Sequence, residues 1–265
     1  MATRNMEVLL NLAWFSFDRS IYSILNDYDK DNIKLELARS KDYAFKAIYY
    51  GANSCKCFSG GISIDMHRIS YLFAINILCN KWENTKEMGS LLIDSLNAEN
   101  CIIRRGLPTA TRSWFLLDLF SLVSNIEINK KIAIAPKKDK YKPFYEILEL
   151  WDTQDEALID QHITILCEYH LIYAASEIDY DNQEERMRNL EMPSFQIFPY
   201  EVLAWLKLRE EHGLKNPVKF SHELMNTKIV KVFLELNTPL DEIEDLPFEK
   251  DILSNLKKAC PEMKI

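Results

Sequence analysis

The sequence predicts an all-α protein of about ten helices, packed as antiparallel helical hairpins around one core with negligible sheet. Three observations carry this. Apolar residues recur at three- and four-residue spacing along most of the 265 residues. No segment shows sustained period-two alternation bounded by hairpin turns. Only six glycines occur, and the nine prolines fall mostly between the periodic segments.

Leu10, Trp14, Phe17, Ile21 and Ile24 set an amphipathic first helix over about 6–26. A second opens near Asp31 and stops before Gly60-Gly61, where glycine suits a left-handed cap. Ser63 suits the N-cap of a third, with Ile69, Leu72, Phe73 and Ile77 as its buried stripe. Asn84 to Glu87 has capping-box spacing and predicts a short helix carrying Met88, Leu91 and Leu92. Another helix is expected from Thr111 to Ser124. The stretch 126–142, with six lysines and Pro136, reads as a mobile loop with a brief extended piece at Ile132 to Ala135. Pro143 fits the first turn of a helix reaching Asp152. Thr153-Gln-Asp-Glu156 has the form of a capping box, opening a long helix to about Ser176. A short helix is expected within 181–190. Pro199 opens a helix to His212, stopped by Gly213, and helices over about 221–234 and 248–260 complete the chain.

The length suits a single helical domain, 1–265. The Lys-rich loop is its best internal boundary, between an N-terminal half, 1–126, and a C-terminal half, 143–265. Cysteines at 55, 57, 79, 101, 167 and 260 are scattered, as expected of reduced thiols in a cytoplasm and not of a disulfide framework. The first residues lack a signal-peptide layout, and no apolar stretch reaches membrane-spanning length. The expectation is a cytoplasmic protein with no membrane attachment. A formal charge of −8 repels nucleic acid and draws basic partners.

The chemistry-bearing residues form no recognisable site. Cys55-Lys-Cys57 is too closely spaced for a zinc knuckle, and no second cysteine pair completes it. His162 and His170 lie eight residues apart on one helix, about 12 Å along its axis, too far to share an ion unaided. No Gly-x-Ser-x-Gly elbow, Walker loop or dinucleotide fingerprint occurs. We expect no enzyme activity, no metal and no cofactor. Lys130, Lys131, Lys137, Lys138, Lys140 and Lys142 form the main basic cluster, with Arg104-Arg105 apart from it. Without interleaved aromatics, they read as a solvated loop and not as a nucleic-acid surface.

The acidic clusters are more informative. Six acids and no base lie between Glu146 and Asp160. Asp155 and Glu156 suit the positive end of the helix they open. Asp152, Asp155, Glu156 and Asp160, together with Glu184 and Glu185, are the candidate surface for a basic protein partner.

Two stretches carry a family resemblance. One is Tyr43-Ala-Phe-Lys-Ala-Ile-Tyr-Tyr-Gly-Ala-Asn-Ser-Cys-Lys-Cys-Phe58, with small residues interleaved among aromatics. The other is Phe198-Pro-Tyr-Glu-Val-Leu-Ala-Trp-Leu-Lys-Leu-Arg-Glu-Glu-His-Gly-Leu214, an apolar helix opened by proline and stopped by glycine. Together they resemble the immunity protein 49 family, all-α immunity proteins of bacterial polymorphic-toxin and type VI secretion systems. The resemblance implies an immunity protein that neutralises a cognate antibacterial toxin, possible nuclease effectors among them, by direct stoichiometric binding. The alternative from the residues alone is a helical scaffold or adaptor that binds a peptide or partner helix.

Overall fold

The computed structural model describes residues 2–55, 64–97, 99, 102–103, 107–175, 193–236, 239–243, 249–259 and 261. Among them are eleven α-helices and no strand. In chain order these are α1 (Ala2–Leu25), α2 (Lys30–Cys55), α3 (Met66–Cys79), α4 (Trp82–Leu96), α5 (Thr111–Ser124), α6 (Phe144–Glu149), α7 (Glu156–Ala175), α8 (Pro193–Gln196), α9 (Tyr200–Glu211), α10 (Lys228–Glu235) and α11 (Glu249–Ala259). The helix expected within 181–190 lies outside the described residues. None of the described helices is long and apolar enough to cross a membrane.

Helices α1 and α2 form an antiparallel hairpin. Ala13 O accepts from Ser40 Oγ at 2.7 Å, Arg19 pairs with Glu36 at 3.2 Å, and Ser23 Oγ accepts from Asn32 Nδ2 at 3.3 Å. One residue number rises as its partner's falls. The hairpin rule does not extend to the centre of the molecule. Buried α3 packs most heavily against α9, which is more than a hundred residues away in sequence, and next against α2 and then α5. Phe17 of α1 stacks on Phe195 of α8 at 4.6 Å. Phe195 in turn meets Tyr71 of α3, and Phe198 meets Phe233 of α10 at 4.4 Å. This aromatic cluster joins α1, α3, α8 and α10, with each fully buried ring stabilising by roughly 1.5–3 kcal/mol.

Several expected caps are corrected by one or two residues. The N-cap of α3 is Asp65, whose carboxylate accepts from His67 N at 3.0 Å, and not Ser63, which lies outside the described residues. Asn84 does not open a helix, because α4 has already begun at Trp82. Its amide instead donates to Asn80 Oδ1, and Asn80 donates to the buried Asn76. This chain of asparagines ties α4 to the end of α3. Gly213, at φ +70, provides the stop expected after α9. The helix expected over 221–234 is divided into a 3₁₀ turn, Glu223–Asn226, and α10.

The Lys-rich stretch, expected as a loop, is tied to the fold at several points while its six lysines stay exposed. Asn97 Nδ2 donates to Glu127 O at 3.0 Å, and its Oδ1 accepts from Asn129 N at 2.7 Å. Tyr141 OH donates to Asp118 Oδ2 at 3.0 Å, and Lys130 pairs with the same carboxylate. Ile128, Ala133 and Tyr141 are buried. The extended piece expected at Ile132 to Ala135 is a turn: Ile132 N and Ala133 N both donate to Asn129 O.

Candidate functional site

The expected acidic residues gather where α6 gives way to α7. Helix α6 is shorter than expected, ending at Glu149, and α7 begins at Glu156. The cap of α7 is Asp155, whose Oδ1 accepts from Ala157 N at 3.0 Å and Leu158 N at 3.2 Å. Thr153, expected in that role, accepts from Asp155 N instead. Glu156 and Asp160 are one helical turn apart on α7, and Asp160 Oδ1 accepts from Ser221 N at 3.0 Å. Asp152, Asp155 and Glu156 are exposed, and Asp160 is half-buried. No ion pair engages Glu149, Asp152, Asp155, Glu156 or Asp160 among the described residues. Among the described residues these carboxylates form a ridge without salt-bridge partners, with the Arg209 charge near Asp152. Glu184 and Glu185 lie outside the described residues.

Arg209, fully buried on α9, holds the backbone beneath this ridge. Its guanidinium donates to Trp151 O at 2.5 Å, Thr153 O at 2.8 Å, Lys215 O at 2.7 Å and Asn216 Oδ1 at 3.0 Å. Only arginine offers so many donors in a rigid plane. Burial lowers its pKa, opposed by the nearby Asp152 carboxylate. The corner that displays the acids is therefore fixed from below by one side chain.

An apolar groove of about 480 Å³ lies beside the ridge and shares Glu149 with it. Leu122, Ile128, Tyr141, Tyr145 and Leu148 contribute its walls. Lys138 Nζ sits 3.7 Å from the Tyr145 ring centroid, and Lys130 Nζ sits 4.6 Å from that of Trp114. The volume falls within the range of small ligand and side-chain pockets.

Sequence reasoning missed a buried polar cluster. Glu201 Oε1, fully buried on α9, accepts from Arg112 Nε of α5 at 3.1 Å and from His170 Nδ1 of α7 at 2.9 Å. His170 Nε2 lies 3.2 Å from Gln196 O. Both ring nitrogens of His170 therefore face oxygen atoms. Burial alone pushes the Glu201 carboxyl up. The His170 charge and hydrogen bond outweigh this with help from Arg112, holding it down at about 2. The guanidinium also lies 5.6 Å over the Tyr169 ring. A lone acid inside the apolar run 198–206 was the available signal, because charged residues are seldom fully buried unless paired.

The two cysteines whose side chains are described are sequestered. Burial pushes the unpaired thiols of Cys79 and Cys167 up to about 12. Cys57, Cys101 and Cys260 lie outside the described residues, as does the side chain of Cys55. His162 is buried, and desolvation lowers its pKa. No group of three or more His, Cys, Asp or Glu side chains is placed to hold a metal among the described residues. Comparison with protein-family models, with curated proteins and with solved structures gives no match to this chain.

Proposed function

We propose that this chain is an immunity protein that neutralises a cognate antibacterial toxin by direct stoichiometric binding in the cytoplasm. In this reading, the ridge of Asp152, Asp155, Glu156 and Asp160 meets a basic face of the toxin. The observation that carries it is a set of acids, three exposed and Asp160 half-buried, free of ion pairs among the described residues, on a corner clamped by buried Arg209. Fixed charges lose little freedom on binding, and an exposed acidic face steers a basic partner into encounter. Arginine-rich nucleases are one class of toxin with the matching charge.

The test uses Asp152→Lys combined with Glu156→Lys, because Asp155 and Asp160 also make hydrogen bonds within the fold. The partner is the product of the gene directly upstream. The double variant should slow association about tenfold or more at low salt, with the difference shrinking as salt screens the charges. An unchanged rate sinks the site. Failure of the wild-type protein to bind or neutralise that product sinks the toxin assignment.

The groove favours a second reading, an adaptor that receives a partner helix through apolar anchors. Leu122→Asp should then abolish binding, while the ridge variant leaves it intact.

A further inference from the structure

The apolar groove beside the acidic ridge is bordered by charges of both signs. Glu149 brings the ridge to it, and Lys130 and Lys138 bring the Lys-rich stretch. On the ridge, Glu149, Asp152, Asp155 and Glu156 are exposed and make no salt bridge among the described residues. On the Lys-rich stretch, Lys131, Lys137, Lys138 and Lys140 are exposed and likewise make none. Two acids, Glu127 and Asp139, accompany the six lysines there, so that border stays positive. Leu122, 48% exposed, is the most open apolar member of the groove wall.

No salt bridge joins the two sets among the described residues. Each is pinned separately. Arg209 holds the backbone under the ridge, while Asn97 and Asp118 hold the Lys-rich stretch. The Lys138 ammonium lies over the Tyr145 ring instead, 3.7 Å from its centroid. Charges fixed in this way and left without salt bridges are available to a third party, which loses little by meeting them.

We propose that this groove seats a helix of a protein partner, its apolar side chains in the groove, its bases along the ridge and its acids along the Lys-rich stretch; this rests on the reading of the ridge as a binding face. It differs from the adaptor reading, in which the groove binds alone. Shape and charge select this occupant together. An apolar trough with charged borders is the imprint of an amphipathic helix, which carries charge along both edges of its apolar face. Borders of opposite sign demand both signs in the partner. Nucleic acid and an anionic bilayer carry one sign, so each would be drawn to the lysines and repelled by the ridge. A polypeptide sets both signs at side-chain spacing. A second copy of this chain has matching charges, but it would set one concave wall against another and leave the trough unfilled.

Fluorescence anisotropy of the full chain with three hydrocarbon-stapled helical peptides tests this. Each is about 18 residues long, and all share one leucine face. The sorted peptide has Glu along one edge and Lys along the other. The second has Glu on both edges, and the third has Lys on both. The sorted peptide should bind about tenfold more tightly than either of the others at low salt, with the advantage shrinking as salt screens the charges. Leu122→Asp should abolish binding of all three. Lys137→Glu combined with Lys140→Glu should move the preference to the all-Lys peptide. Asp152→Lys combined with Glu156→Lys should move it to the all-Glu peptide. All these positions are exposed, so the variants should keep the wild-type circular dichroism and melting temperature. A purely structural role for either set cannot exchange the preference in this manner.

Tightest binding of the all-Lys peptide by the wild-type protein overturns the proposal and leaves the ridge as a site for a basic partner. Tightest binding of the all-Glu peptide overturns it as well. So does failure of all three to bind, or binding indifferent to Leu122→Asp. The toxin assignment is decided separately, by the product of the upstream gene. Binding of phosphatidylglycerol vesicles or single-stranded DNA that is lost with the two lysine reversals gives the surface to a polyanion and overturns the helix. A dimer in sedimentation equilibrium that the same reversals dissociate gives it to a second copy, with the same consequence.

Discussion

Arg209 gives the most direct test of how the acidic corner is built. Arg209→Met keeps much of the apolar stem and removes four hydrogen bonds, to Trp151 O, Thr153 O, Lys215 O and Asn216 Oδ1. A hydrogen bond with a charged partner contributes about 1.5–3 kcal/mol net. Two offsets reduce the sum: the guanidinium no longer has to be desolvated, and water reaches some of the freed carbonyls beside exposed Asp152 and Gln154. The expected loss is about 3–5 kcal/mol, as for breaking a buried charged contact. For a chain of this size, that lowers Tm by roughly 10 °C. Urea denaturation measures the global cost, and hydrogen exchange measures the local one. The amides of Ala157 and Leu158, bonded to Asp155, should exchange faster in the variant. Arg209→Lys, retaining the charge but not the planar fork, should fall between the two. An Arg209→Met protein within about 1 kcal/mol of wild type, with unchanged exchange at those amides, would refute the clamp.

Further predictions follow from buried contacts. Because the Glu201 carboxyl is held at about 2 against an ordinary 4.5, the folded state binds fewer protons there than the unfolded state. Its contribution, about 3 kcal/mol, is fully present above pH 4.5 and is lost as pH falls from there towards 2. Glu201→Gln should flatten that part of an acid-unfolding curve and destabilise the protein at pH 7. Gly89→Ala should cost about 1–3 kcal/mol in urea melts, because a β-carbon would lie 2.3 Å from the buried Phe120 ring. Gly213→Ala meets no steric obstacle but adopts φ +70, so its cost should be about 1 kcal/mol. Cys79 and Cys167 should resist a thiol reagent in the native protein and label on unfolding, as peptide mass mapping can show.

The outer helices were the most legible part of the sequence. Leu10, Phe17, Ile21 and Ile24 face inward, as expected for α1, while Trp14 of the same stripe is half-buried. Val8, Phe15 and Tyr22 on its other face are exposed, which a wheel read for burial does not show. Caps were displaced for a local reason. Thr153 and Asp155, or Ser63 and Asp65, offer equivalent acceptors within two residues, and backbone geometry chooses between them. Asn84 failed as a cap for a tertiary reason, its bond to Asn80. The Lys-rich stretch was legible in part: its six lysines are exposed, as composition suggested, while Asn97 and Asp118, from other parts of the chain, hold its backbone and Tyr141. Of the candidate acids, position along the chain was legible. The absence of ion pairs around them and the arginine beneath were not, because both depend on contacts made across α7 and α9.

Helix α9 explains why the deepest polar contacts escaped notice. It is buried on nearly all sides, so its sequence has no polar stripe against which Glu201 and Arg209 would stand out. Yet the two are arranged with the helix: the acid lies in the first turn and the base in the last, each favoured by the partial charge at that end. Both then reach towards α7. Glu201 bonds His170 in its C-terminal half, while Arg209 bonds Trp151 O and Thr153 O just before its start. One central helix therefore fixes α7 near both ends, about 12 Å apart along α9. A helix held at two points cannot swing its first turn freely, and that first turn carries Glu156, with Asp160 one turn on. The same buried charges that are costly to place in the core thus orient the exposed ones at its edge.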